Sequence, residues 1–226
     1  ADQLFIYTWA GYTDKALLDR FAEKTGIRVV ADVFDSNEAM LARVQAGGGR
    51  AYSIIYPSDY MVIQMTELGL LSQLDHSILG GIDRLKKQFQ DPVYDPGNRY
   101  SVPLSWGTTG LIYNSSQLKE APVDWDYLWK HKQELKRRMT LANDVREVMG
   151  AALRMLGYSL NSTNPEQVKK AYEKLVELKP AIASFTTDAW RPQMLTGDLK
   201  IAMCYSSDAN EVIPDNDKLR YVVPKS

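Results

Sequence analysis

The sequence predicts an α/β protein built as two lobes, and three observations carry that prediction. Strand-forming runs alternate with amphipathic stretches of helix length from the N-terminus onward, and the alternation resumes after a loop-rich middle. Gly and Pro punctuate the joins. At 226 residues the chain is long enough for one large domain or two small ones. Its 45% hydrophobic and 24% charged residues are ordinary for a globular domain, which argues against disorder or a fibrous repeat.

The run Leu4-Phe5-Ile6-Tyr7-Thr8-Trp9 reads as a strand. Thr13 to Lys24 then carries Leu17, Leu18, Phe21 and Ala22 at helical spacing, with Thr13 as the expected N-cap and Gly26 as the stop. Ile27 to Phe34 makes a second strand, so the unit is βαβ. Ser36 caps a helix through Met40, Leu41 and Val44 that ends at Gly47-Gly48-Gly49. Tyr52 to Tyr56 reads as a third strand, followed by a helix from Ser58 to Gly69. This order implies a parallel sheet covered on both faces, with the loops after the strand ends forming a crevice.

The stretch from Asp91-Pro92 to Asn98 is loop-like, and Tyr100 to Trp106 and Gly110 to Asn114 read as extended pieces around Gly107-Thr108-Thr109. A crossover there divides a first α/β lobe, 1–107, from a second, 108–226. The second lobe is expected to hold a strand at Met139 to Ala142 and helices at Arg146 to Leu156 and Pro165 to Leu178. Strands at Lys200 to Tyr205 and Leu219 to Val223 follow. The charged run Lys130 to Arg138 reads as a solvated helix face. The chain stops at Pro224-Lys225-Ser226 with no closing helix, and the second lobe reads as incomplete.

Composition narrows the function classes. The formal net charge is -1, and Lys and Arg are scattered, so no footprint for nucleic acid is visible. No apolar run is long enough to span a bilayer. The single cysteine, Cys204, excludes an internal disulfide and reads as a small buried apolar residue. The start at Ala1-Asp2-Gln3 fits a mature exported protein and equally a shortened chain. The only histidines, His76 and His131, have polar surroundings and read as surface residues. No nucleophile elbow, phosphate loop or His-Glu-x-x-His helix occurs. No catalytic residue, metal or cofactor is expected, and the chain reads as a binding protein, not an enzyme.

The informative pattern is aromatic and hydroxyl residues after strands: Trp9 and Tyr12 after the first, Ser58 and Tyr60 after the third. Such rings either pack or hold methylenes and ammonium groups. Asp144 and Glu147 sit three apart at a helix start, as an amine-binding pair or as a capping box. Tyr205 and Asp208 repeat the theme after another strand, with Asp208 as a ligand carboxylate or an N-cap.

Five ordered motifs resemble one family. They are Tyr7-Thr8-Trp9-Ala10-Gly11-Tyr12, Phe34-Asp35-Ser36-Asn37-Glu38, Tyr56-Pro57-Ser58-Asp59-Tyr60, Pro103 with Trp106-Gly107-Thr108-Thr109, and Asp144-Val145-Arg146-Glu147-Val148 with Leu156-Gly157-Tyr158. Together they are similar to the spermidine/putrescine-binding proteins of bacterial ABC importers. The resemblance implies a two-lobed type II periplasmic binding protein fold whose lobes close over a linear polyamine, and a periplasmic location. It also implies ABC importer membrane subunits as partners. Carried over by motif, Trp9, Tyr12, Ser58 and Tyr60 would line the first lobe's wall, and Asp144 and Glu147 the second's. Tyr205 stands where family members often have tryptophan, and Asp208 matches an acid that some carry. That departure leaves open another cationic or zwitterionic ligand, such as a basic amino acid or 4-aminobutyrate, and an enzyme on the same fold is the rival from another class. Family members continue into a Trp-x-Asp motif beyond this point. The resemblance therefore implies weak or no binding unless a C-terminal segment from another molecule or fragment completes the site.

Overall fold

The computed structural model describes residues 2–226. The chain divides into two compact units, one running to Trp106 and the other from Gly107 to Ser226.

The first unit contains β1 (Gln3–Trp9), α1 (Lys15–Thr25), β2 (Arg28–Phe34), α2 (Asn37–Gln45), β3 (Ile54–Ile55) and α3 (Asp59–Glu67). Its sheet has the order β2-β1-β3, and both pairings are parallel. Helix α1 starts one residue later than Thr13 predicts. Asp14 is the N-cap, because its extended backbone lets the carboxylate accept the Ala16 and Leu17 N–H groups at 2.8 and 3.3 Å. Gly26 ends α1 in the left-handed conformation, φ 74°, and donates to the Ala22 carbonyl. Ser36 caps α2 by accepting from the Ala39 N–H.

Strand β3 is shorter than the expected Tyr52 to Tyr56. The Tyr52 N–H is taken by the Gly49 carbonyl of the preceding turn, and Pro57 has no N–H to continue the ladder. Tyr7, Phe34, Met40, Leu41, Met61 and Met65 pack one face of the sheet under α2 and α3. The expectation that both faces are covered is corrected. Helix α1 packs on β2 and has no buried residue, and Leu17, Val33 and Ile54 remain exposed. Tyr100 to Trp106 forms no strand either. Its N–H groups go to a side chain, the Asp95 carboxylate accepting from Tyr100 N, Ser101 N and Ser101 Oγ.

The second unit contains β4 (Thr109–Asn114), α4 (Tyr127–Lys130), β5 (Met139–Leu141), α5 (Val145–Met155), α6 (Pro165–Leu178) and β6 (Ile182–Phe185). It continues with α7 (Trp190–Thr196), β7 (Ile201–Tyr205), α8 (Ser206–Val212) and β8 (Leu219–Val222). The sheet order is β6-β5-β7-β4-β8. Strands β6, β5 and β7 run parallel, and β4 runs antiparallel to both β7 and β8. This mixed sheet is covered on both faces. Leu111, Met139, Leu141 and Met203 pack with Val148 and Ala152 of α5 and Leu178 of α6. Ile112, Ala202 and Cys204 pack with Trp190 and Met194 of α7 and Ala209 of α8. Cys204 is buried and unpaired by any disulfide, and its thiol is pushed up by burial and then by the nearby Asp208 charge.

Lys130 to Arg138 is not a helix face. Helix α4 ends at Lys130 and the chain continues through turns, with Leu135 buried and Arg137 at φ 61° so that its N–H meets the Ala181 carbonyl. His131 is half-buried, stacked on the Tyr127 ring at 4.0 Å, whereas His76 is exposed. Among the described residues, no helix is long and apolar enough to cross a membrane.

Gly110 lets β4 close on β8. A Cβ there would lie 2.3 Å from the Val222 carbonyl oxygen and 2.7 Å from the Tyr221 hydroxyl. Backbone cannot yield as a flexible side chain can, so Gly110→Ala is expected to lower stability by about 2 kcal/mol or more. The midpoint of urea unfolding measures this.

Candidate functional site

Parallel strands bring the residues that follow them to one end of a sheet. In the first unit, Trp9 closes β1, its indole N–H donating to the Tyr56 carbonyl at 2.8 Å and its ring meeting Phe34 at 4.5 Å. Tyr12 lies in the turn behind it, where its N–H reaches the Trp9 carbonyl. The Tyr12 hydroxyl lies 3.1 Å from Ser105 Oγ, and its ring stands edge-on to Tyr56. Ser58 begins α3. Its Oγ makes no capping bond and accepts instead from Asn37 Nδ2 at 3.0 Å. Tyr60 lies in the first turn of α3. Its hydroxyl accepts from Asn37 Nδ2 at 3.0 Å and donates to Glu38 Oε1 at 3.3 Å.

The first unit therefore gathers all four expected residues at one sheet end. The organiser is Asn37, which sequence reasoning did not single out as a site residue. It is buried, accepts the Ser58 N–H through Oδ1 and donates to both Ser58 and Tyr60. A polar residue directly after the Ser36 cap, beside Glu38, was the available signal.

In the second unit, the C-terminal ends of β5, β6 and β7 meet the start of β4. Asp144 is buried there as the N-cap of α5. Its Oδ1 accepts the Glu147 N–H at 3.1 Å, and its Oδ2 accepts the Tyr205 hydroxyl at 2.7 Å. Asp144 thus acts as an N-cap, and its carboxylate stands beyond the C-terminal end of β5. Glu147 is half-buried in the first turn of α5. Tyr205 closes β7 and occupies the N-cap position of α8. Beside it Ser206 Oγ accepts the Thr108 N–H at 3.0 Å, and the Tyr221 hydroxyl donates to the Thr108 carbonyl. Burial pushes the Tyr221 hydroxyl up to about 12.

The N-cap reading of Asp208 is corrected, because α8 starts at Ser206 directly after β7 and carries Asp208 in its first turn. There its buried carboxylate is 2.6 Å from Arg191 of α7. Arg191 also bonds Glu211 at 2.7 Å and lies 3.8 Å from Asp188. Burial works against the guanidinium charge, but Glu211 and the field of the other carboxylates outweigh it and raise the Arg191 pKa. Asp208 is the most buried of the three acids. Burial above all, opposed by Arg191 and reinforced by Asp188 and Glu211, pushes its carboxyl up to about 6.

Among the described residues, no group of three His, Cys, Asp or Glu is placed to hold a metal ion. Two open cavities of the first unit, about 500 and 530 Å³, are lined by other residues, one around His76 and Asn98 and one around Asp32 and Arg43.

Residues 16–226 match a family model described as bacterial extracellular solute-binding protein. The chain belongs to that family. Among curated relatives of this solute-binding protein, the spermidine/putrescine-binding periplasmic protein of Salmonella typhimurium is 35% identical over 99% of this chain and 64% of its own length. The putrescine-binding periplasmic protein of Pseudomonas aeruginosa is 33% identical over 91% of this chain and 59% of its own length. A solved structure described as a putative spermidine/putrescine ABC transporter from Listeria monocytogenes superposes with a TM-score of 0.92 at 38% identity, covering 100% of this chain and 69% of that one. The spermidine/putrescine ABC transporter substrate-binding protein of Streptococcus pneumoniae gives 0.76 at 41%, covering 99% and 68%. The solute-binding protein thus has the mixed α/β architecture of type II periplasmic binding proteins. It spans about 64% of the length of the Salmonella relative.

Removing the Tyr205 hydroxyl leaves Asp144 one donor short, so Tyr205→Phe is expected to lower stability by about 1 to 2 kcal/mol in denaturant unfolding. Asp208 binds its proton more tightly folded, near pH 6, than unfolded, where a carboxyl titrates near pH 4. Its contribution is therefore favourable at low pH and is lost as pH rises from about 4 to 6, with a slope approaching about 1.4 kcal/mol per pH unit. Stability profiles from pH 4 to 7 are expected to lose that slope in Asp208→Asn.

Proposed function

We propose that this solute-binding protein captures polyamines, spermidine or putrescine, in the periplasm and delivers them to the membrane subunits of an ABC importer, making and breaking no bond. The observation that carries the reading is the Asp144 carboxylate. It is buried beyond a strand end and aimed by two fixed donors, the Tyr205 hydroxyl and the Glu147 N–H. A carboxylate has about four lone-pair sites, so two donors leave room for an ammonium group. A desolvated ammonium–carboxylate contact is among the stronger hydrogen bonds a protein makes.

The rest of the candidate set suits the remainder of such a ligand. Glu147 adds a second acid beside the first. The rings of Trp9, Tyr12 and Tyr60 offer apolar faces for methylenes and attract ammonium groups by about 0.5 to 2 kcal/mol per contact. Asn37 holds both Ser58 and Tyr60 in place by donating a hydrogen bond to each hydroxyl. The names of the relatives point to the same ligand class and to an importer. The two histidines support binding over catalysis. One His76 ring nitrogen lies 2.8 Å from the Asn98 carbonyl, and His131 is stacked on Tyr127 beside Glu134, so neither is posed as a base next to a nucleophile.

Calorimetric titration with spermidine, putrescine, 4-aminobutyrate and lysine at low and moderate salt tests the reading. Both polyamines are expected to bind at least tenfold more tightly than the two carboxylate-bearing ligands, and added salt is expected to weaken them. Asp144→Asn keeps an N-capping side chain and removes the charge, so it is expected to lower polyamine affinity at least tenfold, about 1.4 kcal/mol, with little loss of stability. A preference for either amino acid, or unchanged binding in Asp144→Asn, would sink the proposal.

A further inference from the structure

Asp208 raises a question the polyamine reading does not answer. It follows Tyr205 by three residues, at the start of α8, so the two side chains occupy neighbouring positions of one helix N-terminus. The Tyr205 hydroxyl bonds Asp144, which puts Asp208 at the same end of the second unit's sheet as the candidate carboxylate. An acid so placed is suited to an amine. In this protein it already has a cation. One Arg191 nitrogen is 2.6 Å from Asp208 and another is 2.7 Å from Glu211, while Nε is buried with no hydrogen-bond partner.

We propose that Arg191 is a specificity-determining residue: its guanidinium occupies the position at Asp208 that a ligand ammonium group would otherwise take, and so withholds one carboxylate from the polyamine. The inference rests on the polyamine reading. Two features separate it from a plain tether between α7 and α8. First, Arg191 leaves a buried donor unmet, which is not how a network optimised for stability is built. Second, the guanidinium is shared, since its two terminal nitrogens bond different acids of α8, Asp208 and Glu211. Without Arg191, Asp208 and Glu211 lose the cation they share, and a mobile ammonium group can take its place.

The consequence concerns the number of ammonium groups recognised. With Asp208 engaged internally, the second unit offers the ligand Asp144 and Glu147. With Asp208 released it offers a third acid, which favours a triamine over a diamine. Arg191 thereby tilts the protein toward the shorter ligand. The Trp190 ring lies 5.9 Å from the Arg191 guanidinium and Asp208 is largely buried, so the exchange of one cation for another takes place where charge–charge contacts are less screened than at the open surface.

The test is a double-mutant cycle in the protein, read as the ratio of spermidine to putrescine affinity. Arg191→Met, which retains the aliphatic stem beside Trp190, is expected to shift the ratio toward spermidine at least tenfold. Arg191→Gln is a second removal of the charge and has to give the same shift, which keeps the test decisive if one variant fails to fold. Arg191→Lys retains a cation and is expected to shift the ratio less than threefold. Asp208→Asn alone is expected to change either affinity less than threefold, and added to Arg191→Met it is expected to abolish the shift. An unchanged ratio in the Met and Gln variants, or a shift that survives Asp208→Asn, overturns the role of Arg191 while leaving polyamine binding intact. So does a tenfold loss in Asp208→Asn alone, because Asp208 would then already hold the ligand. Absence of polyamine binding in the unaltered protein and in every variant overturns the functional reading and this inference with it.

Discussion

A carboxylate buried in a protein interior must find donors to replace the water it gave up. Asp144 meets that requirement with two donors from different elements, a helix backbone N–H and a tyrosine hydroxyl at the end of a neighbouring strand. Much of the second unit's edge follows from it. Strands β5 and β7 must be parallel neighbours for Tyr205 to reach Asp144, and α5 must start at residue 145 for the Glu147 N–H to point at it. The positive end of α5 adds a further contribution that only its first turn can supply.

The first unit solves a gentler problem with the same geometry. Its sheet end presents rings and hydroxyls instead of a buried charge, and the amide of Asn37 locks them by bonding both Ser58 and Tyr60. Both units thus place their chemistry where parallel strands give way to helix N-termini. The difference lies in what is fixed: orientation of neutral groups in one, a buried carboxylate in the other.

Periodicity made much of this legible. Helix α6 runs from Pro165 to Leu178 as its spacing indicates, because a proline at the first position and an apolar stripe leave few alternatives. The misses come from competition between hydrogen-bond partners, which spacing does not register. Asp14 outcompetes Thr13 as a cap. Tyr52 gives its N–H to Gly49 and so shortens β3, and Asp95 takes the N–H groups of Tyr100 and Ser101 that a strand would need. Asp144 and Glu147 could be placed because they adjoin a helix start. Arg191 could not, since its partner Asp208 lies 17 residues on and across a strand.

Strand β4 sits between β7 and β8, both of which arrive late in the chain. The bond from Thr108 to Ser206 closes a separation of 98 residues. At ordinary translation rates of about 5 to 20 residues per second, β4 therefore waits about 5 to 20 seconds for its first partner. During that interval Leu111 and Ile112, wholly buried at the end, belong to a strand with two unsatisfied edges. Pairings so distant along the chain are intrinsically slow to form, and a β4 that stays extended until β7 has been made avoids committing to the wrong neighbour.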